Sequence, residues 1–214
     1  MSKILVLVYD GFSEIELSFP VSMFSIFGGV DYDVVALKNK EVTGWAGITI
    51  VASKLLKEIS PLEYDALLLP GISPFMVDDL LKNEPLLKLV KNMYINNKIV
   101  AAICLTPLIL AKAGILKGKS LSSDAPPESY SEYEIGDILQ SPIVLDGNII
   151  TGKGPGFIKL TQSLFESLGH AELGQKLLSF LYDSGRIIVE DMKPISENTV
   201  KTSCNASTTP SCCG

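Results

Sequence analysis

Basic and histidine side chains are scarce in this chain of 214 residues. Lysine and arginine number 18 against 24 acidic residues, the net charge is −6, and no basic stripe forms. A nucleic-acid partner needs clustered cations to neutralise phosphates, so that role is not expected. The only histidine is His170, after Gly169 at the end of a late apolar segment. It reads as a surface residue near a helix C-terminus, where a cation is mildly favoured. Uninterrupted apolar spans of membrane length are lacking, so no membrane partner is expected. The start, MSKILVLVYDG, has no small-residue cleavage site and reads as a strand, which points to the cytoplasm and to reduced thiols. Cysteines number four, and Cys204, Cys212 and Cys213 all fall within the last eleven residues. That distribution excludes a framework of disulfide staples.

Apolar residues are plentiful at 47%, and the length suits one α/β domain with a full core. Strands are expected at residues 3–9, 33–37, 48–52, 65–69 and 99–103. Helices are expected at 13–28, ending at Gly28-Gly29, and at 84–95, 105–115, 156–168 and 171–183. Asp146-Gly147 between two apolar arms signals a two-residue hairpin. Alternating β and α with continuously apolar strands implies a three-layer α/β sandwich around a mostly parallel sheet. Ligands in such sheets bind beyond the carboxyl ends of the strands. The loops after Tyr9, Leu69 and Ile103 are therefore expected to meet. From about Lys193 the chain turns polar and aperiodic, so residues 1–190 read as the domain and 191–214 as a loose, cysteine-bearing tail.

Cys104 stands where the buried strand 99–103 turns into a helical pattern. Free amides and the positive end of a helix dipole at such a joint favour thiolate over thiol. The competing reading is a small core hydrophobe. Glu16 lies in an apolar stretch between Ile15, Leu17 and Phe19, and a carboxyl buried there wants a partner. Glu14, two residues away on another helix face, reads as solvated. Thr106 reads as a helix cap, with contact to substrate as the alternative. Trp45 and Tyr130 are candidates for a pocket wall, or for local packing.

Three segments, YDGFSEIELSFPVSMF, YDALLLPGI and AAICLTPLILAKAGILKGK, with GNIITGKGPG as a fourth, resemble the ThiJ/PfpI family of class I glutamine-amidotransferase-like, flavodoxin-like domains. The resemblance spans residues 3–183. It implies a nucleophile at Cys104 and an acidic partner at Glu16 whose protonated carboxyl donates to the sulfur. It also implies oxyanion donors at the backbone amides of Ile72 and Leu105, with Gly71 at the same turn. The chain departs from the family in carrying Leu105 and Asp124 where other members carry histidines, and Ile72 in place of a second glycine. A cysteine–histidine dyad, and with it a peptidase, is not expected. Asp124 could orient or activate a water, or simply end a strand.

The expectation is a cysteine-dependent hydrolase or lyase for a small electrophile (aldehyde, glycated adduct, amide or isonitrile) that needs no cofactor. The resemblance further implies a homodimer. Phe19, Met23, Phe24 and Phe27 could supply its contacts or belong to the core. Two other readings stay open: a redox sensor using the same thiol, and soft-metal binding by Cys204, Cys212 and Cys213.

Overall fold

The computed structural model describes residues 1–182. In chain order the elements are β1 (Ser2–Val8), α1 (Glu14–Phe27), β2 (Val30–Ala36), β3 (Glu41–Thr43), β4 (Thr49–Val51) and β5 (Lys54–Leu55). Then follow β6 (Ala66–Leu69), α2 (Val77–Leu81), α3 (Glu84–Ile95), β7 (Ile99–Ile103) and α4 (Pro107–Lys112). The hairpin β8 (Ile143–Asp146) and β9 (Ile149–Gly152) precedes α5 (Phe157–Ser167) and α6 (Ala171–Tyr182).

Seven strands form one sheet in the order β5-β2-β1-β6-β7-β9-β8. Every pair is parallel except β8 with β9. Ile4 to Val8 and Leu67 to Leu69 have no solvent exposure. Strands covered on both faces need no polar alternation, which is why their sequences read as unbroken apolar runs. Helices α1, α5 and α6 pack together on one face, and α2, α3 and α4 on the other. Phe24 and Phe27 of α1 meet Phe165 of α5 edge-on, and Phe19 meets Phe157. Met23 and Phe24 are thus core, whereas Phe19 and Phe27 are half-buried and pack against it.

The expected helices and strands are present with small shifts at their ends. Gly28 closes α1 at a φ of 65°, and Gly147 makes the hairpin turn at the same φ. One strand is differently placed. Residues 49–51 pair only with β3, antiparallel, outside the main sheet. The helix expected over 105–115 is the shorter α4, because Leu105 and Thr106 are spent in the turn before Pro107. The assignment of a boundary near residue 190, and of a loose tail, lies outside the described residues. None of the described helices is long and apolar enough to cross a membrane.

The chain leaves β1 toward β2 on one side and enters β6 and β7 on the other, so β1 and β6 border the switch point. The crevice beyond the carboxyl ends of these strands is where a ligand fits in this topology. Asp33 of β2 anchors the same strands from their surface. Its Oδ2 accepts from Lys3 Nζ, Lys54 Nζ and Tyr64 Oη, each at 2.8 Å. One carboxylate thereby ties β1, β5 and the approach to β6 onto β2. Burial pushes this carboxyl up, but the hydrogen bonds and charge of its partners outweigh it and hold it at about 2. A carboxylate depressed on folding stabilises above its unfolded value and loses that contribution as pH falls through the folded one. Asp33→Asn should therefore cost about 1–2 kcal/mol in denaturant unfolding at pH 7, after allowance for partial exposure. The difference should vanish as pH approaches 2; equal stability at pH 7 would contradict this role.

Candidate active site

Cys104 follows β7 directly and adopts a φ of 65°. Left-handed backbone is rare for a residue with a side chain and costs about 1–3 kcal/mol. The surrounding hydrogen bonds hold it there. Its N–H donates to Gly152 O at 2.9 Å, and its carbonyl accepts from Asp124 N at 2.9 Å and Ser123 Oγ at 2.8 Å. Thr106 completes the turn. Its Oγ1 lies 2.8 Å from Ile103 O and 3.1 Å from Leu69 O, and accepts from Ile103 N. Thr106 is therefore a buried pin between the ends of β6 and β7; it caps no helix and is sealed from solvent.

Glu16 arrives from the first turn of α1 and is buried. Pro20, four residues on, offers no N–H to the Glu16 carbonyl, so the helix ladder is interrupted where the carboxyl projects. Glu16 Oε2 accepts from the Gly71 amide at 2.7 Å. Gly71 must lack a side chain: a Cβ there would sit 2.2 Å from Glu16 Oε2 and 2.7 Å from Cys104 Cβ. Acid and thiol flank this one glycine, so the loops after β1, β6 and β7 meet as the topology requires. Among the described residues no hydrogen bond joins Glu16 to Cys104, so the carboxyl-to-sulfur bond implied by the resemblance is not made. The Gly71 amide takes its place on the carboxyl, and acid and thiol interact through charge.

That charge interaction, together with burial, opposes the thiolate expectation. Burial, then Glu16, then Asp124 push the Cys104 thiol up to about 12, and the Leu105 amide pulls back only in part. A helix end contributes about 0.3–1 kcal/mol, and α4 has six residues beginning at Pro107, three beyond the sulfur. Desolvation beside two carboxyls outweighs it. Burial also raises Glu16, against the Gly71 hydrogen bond, to about 7. At neutral pH the acid, not the thiol, is the group poised to lose a proton.

The remaining expected residues fall as follows. The Ile72 amide has no acceptor among the described residues, since its antiparallel bridge to Phe12 uses the flanking positions. Asp124 is exposed, and its Oδ2 accepts from Gly154 N at 2.6 Å. His170 lies by Ser2 at the amino end of β1, roughly 20 Å along the strand from the Cys104 edge. It is half-buried there, not a free surface residue. Glu14 is half-buried and engaged rather than free. Its Oε1 accepts from Ala46 and Ile48 amides and clamps the β3–β4 turn to the start of α1. Ile15, expected inside, is exposed. Trp45 is 56% exposed and Tyr130 is buried, and neither lines the cavity described next. Cys204, Cys212 and Cys213 lie outside the described residues.

Two site residues had no clear signal in the sequence. Tyr9, at the end of β1, donates its hydroxyl to Pro70 O, and burial with the nearby Glu16 and Cys104 keeps the phenol protonated. Gly154 faces both carboxyls, and only its place in a Gly-Pro-Gly turn hinted at this. A cavity of about 120 Å³ borders the cluster without including Cys104 or Glu16; Tyr9 and Ile72 are among its walls.

A family model described as the DJ-1/PfpI family matches residues 2–166. An uncharacterized protein of Methanocaldococcus jannaschii is 36% identical over 159 residues, covering 73% of this chain and 77% of its own. Deglycase TK1284 of Thermococcus kodakarensis is 33% identical, covering 72% and 91%. The solved structure of Drosophila melanogaster DJ-1beta superposes with a TM-score of 0.76 at 25% identity, over 85% of this chain and 98% of that one.

The backbone at Cys104 yields a direct test. Glycine relieves left-handed strain that alanine retains, so Cys104→Gly should be more stable than Cys104→Ala by about 1 kcal/mol in denaturant unfolding. Equal stabilities, or the reverse order, would mean the turn is unstrained.

Proposed function

The chain belongs to the DJ-1/PfpI family, and from that premise we propose that it is an enzyme in which Cys104 attacks a small electrophilic carbon. Hydrolase or lyase chemistry on an aldehyde, glycated adduct, amide-like carbonyl or isonitrile suits the site. The observation that carries the reading is the strained Cys104 turn with a buried carboxyl beside it. A folded chain keeps such strain where the surroundings over-determine it, and functional sites are where it collects.

In the proposed step Glu16 acts as its carboxylate. The sulfur–carbon bond forms while the thiol proton passes to Glu16, and the π pair of the carbonyl moves onto oxygen. The Ile72 amide receives that oxygen. The Leu105 amide, which supports the sulfur at rest, is released to join it once the sulfur is bonded to carbon. The protonated Glu16 then returns its proton to the oxygen or to the departing group. Nothing in this sequence needs a histidine, a metal or an organic cofactor. A reduced thiol suits the cytoplasm, and the homodimer implied by the family stays part of the proposal.

The sensor reading is less well supported. A resting peroxide sensor needs a thiolate, and two carboxyls beside the sulfur oppose one. The tail-cysteine reading concerns residues outside those described.

Turnover over a panel of small carbonyls, glycated amines and isonitriles tests the proposal. Wild-type protein should turn over at least one class, with a rate that rises as pH passes through about 7 and Glu16 loses its proton. Cys104→Ala should abolish it, and Glu16→Gln should reduce it by about 10²–10⁴-fold. Turnover that survives Cys104→Ala, or none across the panel, would overturn the assignment.

A further inference from the structure

Resting on the catalytic reading above, we infer that the substrate carries a positive charge beside its electrophilic carbon, in an ammonium, guanidinium or iminium group, and no carboxylate or phosphate there. The geometry is marked by Gly154. A Cβ on that residue would lie 3.0 Å from Glu16 Oε1, 3.1 Å from Asp124 Oδ2 and 4.0 Å from Cys104 Cβ. Two carboxyls from different segments thus close on the sulfur from around one point. Asp124 spends Oδ2 on the Gly154 amide, its carboxyl also lies within hydrogen-bonding reach of the Cys104 thiol, and the side chain is exposed. It is the acid an entering ligand reaches first.

No cation answers these charges from within the described residues. Lys153, beside Gly154 in sequence, directs its Nζ to Gln140 Oε1 at 2.6 Å. The adjoining cavity has the same bias, with Asp10, Glu41 and Asp79 in its wall against Lys38. An anionic substrate would meet like charge beside the sulfur, whereas a cation finds the carboxyls of Asp124 and Glu16. A metal ion is the poorer occupant, since no group of three or more histidine, cysteine, aspartate or glutamate side chains among the described residues is arranged to hold one.

A cation docked against Asp124 has a chemical consequence. It offsets the negative charge that opposes ionisation of the sulfur. The thiol proton then passes to Glu16 more readily as the sulfur–carbon bond forms. The substrate thereby completes the electrostatics of its own attack, and the nucleophile stays quiescent until that substrate arrives.

Charge-matched thiol reagents test this on the full chain. Methanethiosulfonates bearing either a trimethylammonium or a sulfonate group are applied at low salt. Modification of Cys104 is followed by peptide-resolved mass spectrometry, and each rate is divided by that of the same reagent with 2-mercaptoethanol. The normalised cationic rate should exceed the anionic one by at least about tenfold. The ratio should fall several-fold in Asp124→Asn and in wild-type protein at 0.5 M salt, about where screening shortens the reach of charge. A ratio within twofold of unity, or one unmoved by both Asp124→Asn and salt, overturns the inference. So does turnover of an anionic substrate as fast as its cationic analogue. A panel without any turnover but with the charge ordering intact overturns the catalytic reading alone, so the two failures are distinguishable.

Discussion

A buried carboxyl and a half-buried thiol on either side of one glycine can hold a single negative charge between them, and not two. Much of the rest of the site follows from that constraint. Each group has one backbone donor, the Gly71 amide for Glu16 and the Leu105 amide for Cys104, so neither is decisively favoured by hydrogen bonding. Asp124 adds a third acid, whose charge opposes ionisation of either group. The charge settles on the carboxylate and the sulfur keeps its proton. Moving that proton a short way converts the resting pair into a nucleophile and a neutral acid at no change in total charge. The site therefore behaves as one unit with shared protons, not as two residues with separate titrations.

The fold exists to hold this pair together in spite of its cost. Strands β1, β6 and β7 end at one edge, and each end is fastened to its neighbour. Tyr9 binds the carbonyl of Pro70, Thr106 spans Leu69 and Ile103, and the Cys104 backbone is held between Gly152 and the Ser123–Asp124 segment. Glycines 71 and 154 make the close approach feasible, because a side chain at Gly71 would strike the Glu16 carboxyl and one at Gly154 would crowd it. The rest of the sheet, apolar on both faces, supplies the burial that sets the protonation states.

Much of this was legible in the sequence because it is local. The 84–95 periodicity gives α3 to the residue, the apolar run 99–103 gives β7, and Asp146-Gly147 gives the hairpin. Alternation of strand and helix fixes the sheet type, and the strand-to-helix joint picks out Cys104. What stayed hidden depends on contacts between distant segments. Nothing near Gly154 says that it faces Glu16, and nothing near Glu14 says that it clamps the β3–β4 turn. The charges that oppose ionisation of Cys104 were hidden for the same reason. A helix dipole can be inferred from neighbouring residues, whereas the burial and the two carboxyls that outweigh it come from α1 and from the segment around Asp124.

The most direct measurement follows thiolate absorbance near 240 nm as pH is raised, taken as the difference between each protein and its Cys104→Ser counterpart. The account predicts that wild-type Cys104 ionises only well into the alkaline range, and that Glu16→Gln, which removes the competing charge, moves the onset to lower pH. A wild-type sulfur already ionised below pH 6, or an onset that Glu16→Gln shifts upward, would contradict it.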